Sequence, residues 1–183
     1  MEPLSETGQL ATRPSPFTPQ DVRNILERRG WLPAAGENNV HQAWLVEAAQ
    51  LLGVRAADTA ALEALLEGIF RYDAREHLAL PENQAVMARE GGRQVLRELA
   101  SLVLDSAQVN SDRYKEIVTA LKERTGRRGQ ELFHPVRLAL AGRAGEGELD
   151  RVILLLDGAA RLEWAVRVKS CRERILEFCG AID

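Results

Sequence analysis

Aromatic residues make up only 5% of this 183-residue chain, while Leu, Ala, Glu and Arg are plentiful, a balance that disfavours a β-rich fold and favours helices. Cysteine is scarce too. Cys171 and Cys179 stand eight residues apart, which on one helix is roughly 12 Å of rise, too far for a disulfide. They read as reduced thiols of a cytosolic protein. The chain lacks a run of 18 apolar residues and a basic-then-apolar leader, so a cytoplasmic protein with no membrane partner is expected.

Signatures of catalysis are missing as well. His41, His77 and His134 lie in unrelated segments with no HExxH or CxxC companion, so no metal site is expected. Gly142, Gly145 and Gly147 space as GxxGxG, matching neither the dinucleotide fingerprint nor a P-loop, which needs a Lys and a hydroxyl residue after its last glycine. Glu146 and Glu148 at that loop would repel phosphate. There is no GxSxG, and the carboxylate pairs Asp73/Glu76 and Glu146/Glu148 read as solvated faces. The expectation is a chain with no catalytic residues and no cofactor.

What is present is a series of amphipathic helices. Residues 1–17, with three prolines and few large apolar groups, cannot offset their ordering entropy and read as a flexible arm. Thr18-Pro19-Gln20-Asp21 opens the first helix and Gly30 closes it. A second helix carries Val40, Trp44, Leu45, Ala48 and Leu52 on one face, and a third, capped by Asp58 or Thr59, carries Leu62, Leu65, Leu66, Ile69 and Phe70. Tyr72 to Leu80 reads as a polar connection before a helix over 82–90. Gly91-Gly92 separates a first helical subdomain, 18–92, from a second, 93–183. Arg93 to Leu104 and Ser111 to Gly126 follow as helices, the latter capped by the Asn110-Ser111-Asp112 cluster. Val136 to Leu140 fits a strand or a short helix, with Pro135 favouring a first helical turn and His134 a place near that helix start. Residues 148–156 read as an apolar helix, and Trp164, Val168, Cys171, Ile175 and Phe178 as the seam of a long last helix that packs on its own chain. The fold class is all-α.

Charge is unevenly spread. Net charge is -3, which argues against a general nucleic-acid coat. Yet from Lys122 to Arg143 six basic residues (Lys122, Arg124, Arg127, Arg128, Arg137, Arg143) face two acids, a balance of +4. From Glu47 to Asp112 eleven acids face six arginines, a balance of -5. A basic tip on an acidic body suits a site-specific RNA binder, because Arg grips phosphate and stacks on bases. A solvated helix end is the plainer reading of Arg127 and Arg128, and a helical protein-interaction or regulatory module that has lost RNA binding fits the net acidity.

Gly126, Gly129, Leu132-Phe133, Pro135, Val136-Arg137, Leu138-Ala139-Leu140 and Gly142, followed by the apolar segment Leu149 to Leu156, form one long ordered pattern. It resembles the C-terminal anticodon-binding region of bacterial glutamyl-tRNA synthetases, most specifically over 93–165. The resemblance implies an all-helical cage whose tip reads anticodon bases, with tRNA-Glu as partner and translation as the setting. It places Arg137, Glu146 and Leu149 at the anticodon. The sequence departs from that pattern at Glu146, where a small or hydroxyl residue is usual, at Ala141, and at Leu155-Leu156-Asp157-Gly158 in place of LLGK. The HIGH and KMSKS signatures of a synthetase catalytic half do not occur in the 183 residues. A non-catalytic module is therefore implied, possible as half of a split synthetase beside a separate catalytic chain, and no DNA partner is expected.

Overall fold

Short polar side chains set where the helices begin. In the computed structural model, which describes residues 14–105, 109–144 and 149–182, helix α1 (Pro19–Arg28) starts at Thr18. Thr18 Oγ1 accepts from the Asp21 amide at 3.3 Å while Asp21 Oδ2 accepts from the Thr18 amide at 2.7 Å, a reciprocal capping box. Asn38 caps α2 (Asn39–Gly53), Asp58 caps α3 (Thr59–Phe70) and Asn110 caps α7 (Ser111–Thr125) by the same use of a side-chain oxygen. Gly126, at φ 66°, ends α7 in the left-handed conformation that a side chain would resist. The described residues hold ten helices and no strand.

Several expectations change on the structure. Tyr72 to Leu80 contains a helix, α4 (Ala74–Ala79), which Asp73 starts by accepting from the Arg75 and Glu76 amides. Those bonds, Glu76's first, hold the Asp73 carboxyl below its ordinary range; Asp73 caps the helix, and both it and Glu76 remain exposed, as a solvated face requires. Helix α5 (Pro81–Ala88) leads through Gly91 to α6 (Gly92–Leu104). Val136 to Leu140 belongs to a full helix, α8 (Gln130–Ala141), with Pro135 at its sixth position and His134 at its fifth. Helix α9 (Leu149–Ala160) runs a turn beyond Leu156. The last helix, α10 (Cys171–Ile182), begins well after Trp164 and Val168, which lie in an irregular segment. Val40 is 59% exposed, because in the first turn of α2 the core-facing place belongs to His41, whose Nε2 donates to the Glu163 carbonyl at 2.9 Å. Of the expected flexible arm, residues 1–13 lie outside the described residues. Its last part packs, with Ser15 and Phe17 against Gly53 at the end of α2.

One hydrophobic core runs through all ten helices. Helix α1 packs on α2 and α3, α2 also on α9, and α6 on α7, α8 and α10. The three tryptophans gather at one place in this core. Trp31 stacks on Phe70 at 4.8 Å, and Trp44, Phe70 and Trp164 meet edge to face at 5.1–5.8 Å. Trp44 Nε1 donates to the Leu155 carbonyl at 3.0 Å and Trp164 Nε1 to that of Ala159 at 2.9 Å, so neither indole nitrogen is left unpaired.

Helix α10 is bolted to the rest of the chain by buried polar groups. The Arg174 side chain, with 0% of the residue exposed, meets no carboxylate of the described residues at ion-pair distance; it donates to the carbonyls of Gly68 (2.9 Å), Ile69 (2.5 Å), Leu140 (3.0 Å) and Lys169 (3.2 Å). Gly68 and Ile69 are in the last turn of α3 and Leu140 in that of α8, so the guanidinium sits where two helix dipoles point their negative ends. Asp157, also buried, accepts from the amides of Cys171 at 2.8 Å and Val109 at 3.1 Å. Asp157→Ala should cost about 2–3 kcal/mol, since it orphans two buried amides at once. Urea denaturation of the two proteins measures it, and an unchanged midpoint would contradict this role.

Candidate nucleic-acid interface

Helix periodicity places Phe133 and Arg137, four apart, on the same side of α8, half-buried where the rest of the helix faces the core. Opposite them, α7 presents Tyr114, Lys115, Val118, Thr119 and Lys122 along one face. Leu149 and Asp150, the first residues of α9, complete a cavity of about 390 Å³ between these helices. Aromatic and aliphatic side chains line it, and among the described residues it carries Lys115, Lys122 and Arg137 and one acid, Asp150. Burial pushes the Tyr114 phenol well above its ordinary value, with the Arg137 charge opposing that rise.

On the other side of Arg137 and Leu149 lies a second cavity, about 660 Å³, between α3, the α4–α5 corner and the ends of α8 and α9. Aliphatic residues such as Leu65, Leu80 and Leu156 wall it, and Arg55, Arg71, Arg143 and Arg174 add cations to it. Glu67, Glu76 and Glu82 lie there too, but Glu67 is engaged by Arg29 at 2.8 Å and Arg71 at 3.2 Å. Gly142 closes α8 at φ 72°, and a side chain there would run into the His77 ring, 2.3–2.5 Å from a Cβ. His77 Nε2 is buried with no hydrogen-bond partner among the described residues, and burial, then the Arg174 charge, lowers its pKa. Asn83 Nδ2 donates to the Gly142 carbonyl at 2.8 Å and fixes this corner.

The structure thus divides the basic run. Arg137, Leu149, Arg143 and Lys122 come together around two adjoining cavities. Arg124 instead pairs with Glu98 at 3.2 Å. Arg127 pairs with Glu131 at 3.3 Å and Glu90 at 3.6 Å, and its guanidinium lies over Gly91, where a Cβ would come within 2.7 Å. It clasps the link between α5 and α6. Arg128 is exposed and lines neither cavity. Glu146 lies outside the described residues. Lys115, Tyr114 and Phe133 were not singled out for this site from the sequence, although Lys115, Thr119 and Lys122 at i, i+4 and i+7 were a readable stripe. Among the described residues no group of three or more His, Cys, Asp or Glu could hold a metal ion, and no helix is long and apolar enough to cross a membrane.

Tyr72 lies against two residues that line the 660 Å³ cavity, His77 and Arg174. Its hydroxyl donates to the Ala139 carbonyl at 2.6 Å, and Arg174 lies over its ring at 4.6 Å. Burial raises its pKa well beyond 10.0, as it does for Tyr114. A folded-state value above the unfolded one means stability present below pH 10 and lost above it, because the unfolded phenols ionise first. Stability should therefore fall between about pH 10 and 12, more steeply than in Tyr72→Phe, as read by urea midpoints.

An all-helical scaffold with two adjoining cavities that carry Arg and Lys side chains offers a surface of the kind that can grip nucleic acid. The family profile described as the anticodon binding domain matches residues 10–158, and the chain belongs to that family. A glutamate–tRNA ligase 2 of Syntrophus aciditrophicus is 40% identical over 82 residues, covering 44% of this chain and 17% of that protein. A glutamate–tRNA ligase 1 of Halorhodospira halophila is 41% identical over 58 residues, covering 32% of the chain and 12% of the relative. The chain therefore spans less than a fifth of the length of these relatives. No solved structure matches it. The irregular segment 161–170 and α10 lie beyond the matched residues.

Proposed function

We propose that this chain binds tRNA, taking the anticodon loop at the edge formed by Arg137 and Leu149, and that it acts in translation in the cytoplasm. The observation that carries the reading is convergence: within a chain of the anticodon-binding family, Arg137, Leu149, Arg143 and Lys122 meet at two cavities with apolar walls. Arginine supplies a planar fork of donors for base edges, Leu149 and Phe133 supply faces for unstacked bases, and the lysines meet phosphate. Arg124, Arg127 and Arg128 add to the general positive field without touching a base.

The ligase relatives point to tRNA-Glu as the partner, with aminoacylation left to a catalytic unit outside these residues. The seam residues Cys171, Ile175 and Phe178 are buried within the chain, which leaves them no face for a protein partner. Mobility shift with tRNA-Glu at rising salt tests the proposal. Binding that weakens steeply with salt is expected, and an absence of binding at low ionic strength overturns it.

A further inference from the structure

One wall of the 660 Å³ cavity depends on a histidine held where only its neutral form fits well. His77, on α4, is half-buried, and its ring lies so close to Gly142 at the end of α8 that a Cβ there would fall 2.3–2.5 Å from it. The Tyr72 ring is 5.0 Å away between centroids, and the Arg174 guanidinium lies over that same ring at 4.6 Å. His77 Nε2 is buried and meets no hydrogen-bond partner among the described residues. Asn83, 2% exposed, locks the arrangement, for its Nδ2 donates to the carbonyls of His77 and Gly142, both at 2.8 Å. We propose that His77 is an acid-sensitive latch: protonation of its ring releases the α4–α5 corner from the end of α8 and unmakes the cavity wall beside the RNA-binding edge. Its effect on RNA rests on the reading above, whereas the opening itself is measurable without RNA.

Two effects drive the release. A protonated imidazole carries an N–H at both nitrogens, and a buried donor without an acceptor is costly. The new charge also stands near Arg174, which is itself buried among carbonyls with no carboxylate of the described residues at ion-pair distance. Nearby acids offset this only in part. Asp73 and Glu76 beside the ring and Glu82 on α5 are exposed, so solvent screens them, and Glu177 of α10 is already engaged by Lys169 and the Ala74 amide. Arg137 and Arg143, at the end of α8, and Lys169, before α10, add positive charge around the corner. Burial first, and the Arg174 charge second, lower the His77 pKa from its ordinary 6.5. A depressed folded-state value stabilises the closed corner above pH 6.5, and that contribution is lost as pH falls below it. His41 is built differently, since both its ring nitrogens have oxygen partners, on Asn38 and Glu163.

Hydrogen exchange of the full chain at about pH 7.5 and about pH 5.5, corrected for the intrinsic rate, tests the latch; both values lie above the ordinary carboxylate range of about 4. At the lower pH the amides of Leu80, Asn83 and Gly142, bonded to the carbonyls of His77, Leu80 and Leu138, should exchange about five- to tenfold faster, the low end of ordinary coupling between two sites. Amides of α2 and α6 should not change. The difference should vanish in His77→Phe, which keeps a planar ring, and in His77→Gln, and should persist in His134→Gln. The anticodon stem–loop of tRNA-Glu should bind the unaltered chain about five- to tenfold more weakly at the lower pH, where added positive charge alone would strengthen binding. Both His77 variants should lose that weakening. Faster exchange across the whole chain, an unchanged corner, or a difference that survives in both His77 variants overturns the latch. A corner that opens with affinity unchanged overturns its coupling to RNA. A stem–loop that binds at neither pH sinks the RNA reading, while a corner that still opens leaves the latch standing.

Discussion

Arg174→Met is expected to lower the free energy of unfolding by about 3–5 kcal/mol, the largest effect of any single substitution considered for this chain. Methionine keeps most of the apolar volume, so the loss isolates the guanidinium. Four carbonyls, on Gly68, Ile69, Leu140 and Lys169, lose a charged donor in one step, and three of them sit in the final turns of α3 and α8, where the chain has few other donors to offer. Each orphaned buried carbonyl costs about 1–3 kcal/mol, reduced where the site relaxes or water enters. Against a total stability of about 5–15 kcal/mol for a domain, this brings the fold near its limit. Arg174→Lys should recover part of the loss, because an ammonium keeps the charge at the two helix ends but cannot fork across all four acceptors. Urea denaturation followed by helical circular dichroism reads both variants. A loss under about 1 kcal/mol for Arg174→Met would show that the helix ends do not depend on it.

Arg137→Ala should weaken tRNA binding by about ten- to a hundredfold while moving stability little, for the side chain is half-buried at a cavity edge and not in the core. Arg127→Ala should do the reverse. Its ion pairs with Glu90 and Glu131 and its position over Gly91 tie it to the α5–α6 link, so stability falls by about 1 kcal/mol and affinity drops only by the share of one distant charge. Titrating both variants with tRNA-Glu over a salt series separates the two roles. Equal losses of affinity would mean that net charge, and not position, governs binding.

Much of this was readable in the chain because helix caps are local chemistry. Thr18, Asp58 and Asn110 announce α1, α3 and α7, and Gly126 announces an end, since each acts within four residues of itself. The long pattern from Gly126 to Leu156 carried the family. What misled was spacing without a cap. Trp164 and Val168 fall in heptad register with Cys171 by coincidence, whereas the true start of α10 lies at Ser170, where Ser170 Oγ accepts from the Glu173 amide at 3.3 Å and Glu173 Oε2 from the Ser170 amide at 2.8 Å. That Ser-x-x-Glu box was present in the sequence. Pro135 misled in the other direction, because a proline inside a helix is tolerated where its ring packs, here near Gly92. The pairing of Arg127 with Glu90 and the convergence of α7 on Arg137 are long-range and had no local sign. Nor could Asp157, a departure from the family pattern, be seen as the acceptor for the first amide of α10.

The gathering of all three tryptophans around Phe70 makes the chain its own optical reporter. Trp164 comes from the irregular segment before α10, whereas Trp31 and Trp44 belong to the first part of the chain. Indole emission will therefore follow the undocking of that segment from α2 and α3, while the circular dichroism of the helices follows the whole scaffold. If α10 and the segment before it melt as one unit with the family domain, the two signals trace a single transition; a domain that outlives its C-terminal strap will change colour before it loses its helices.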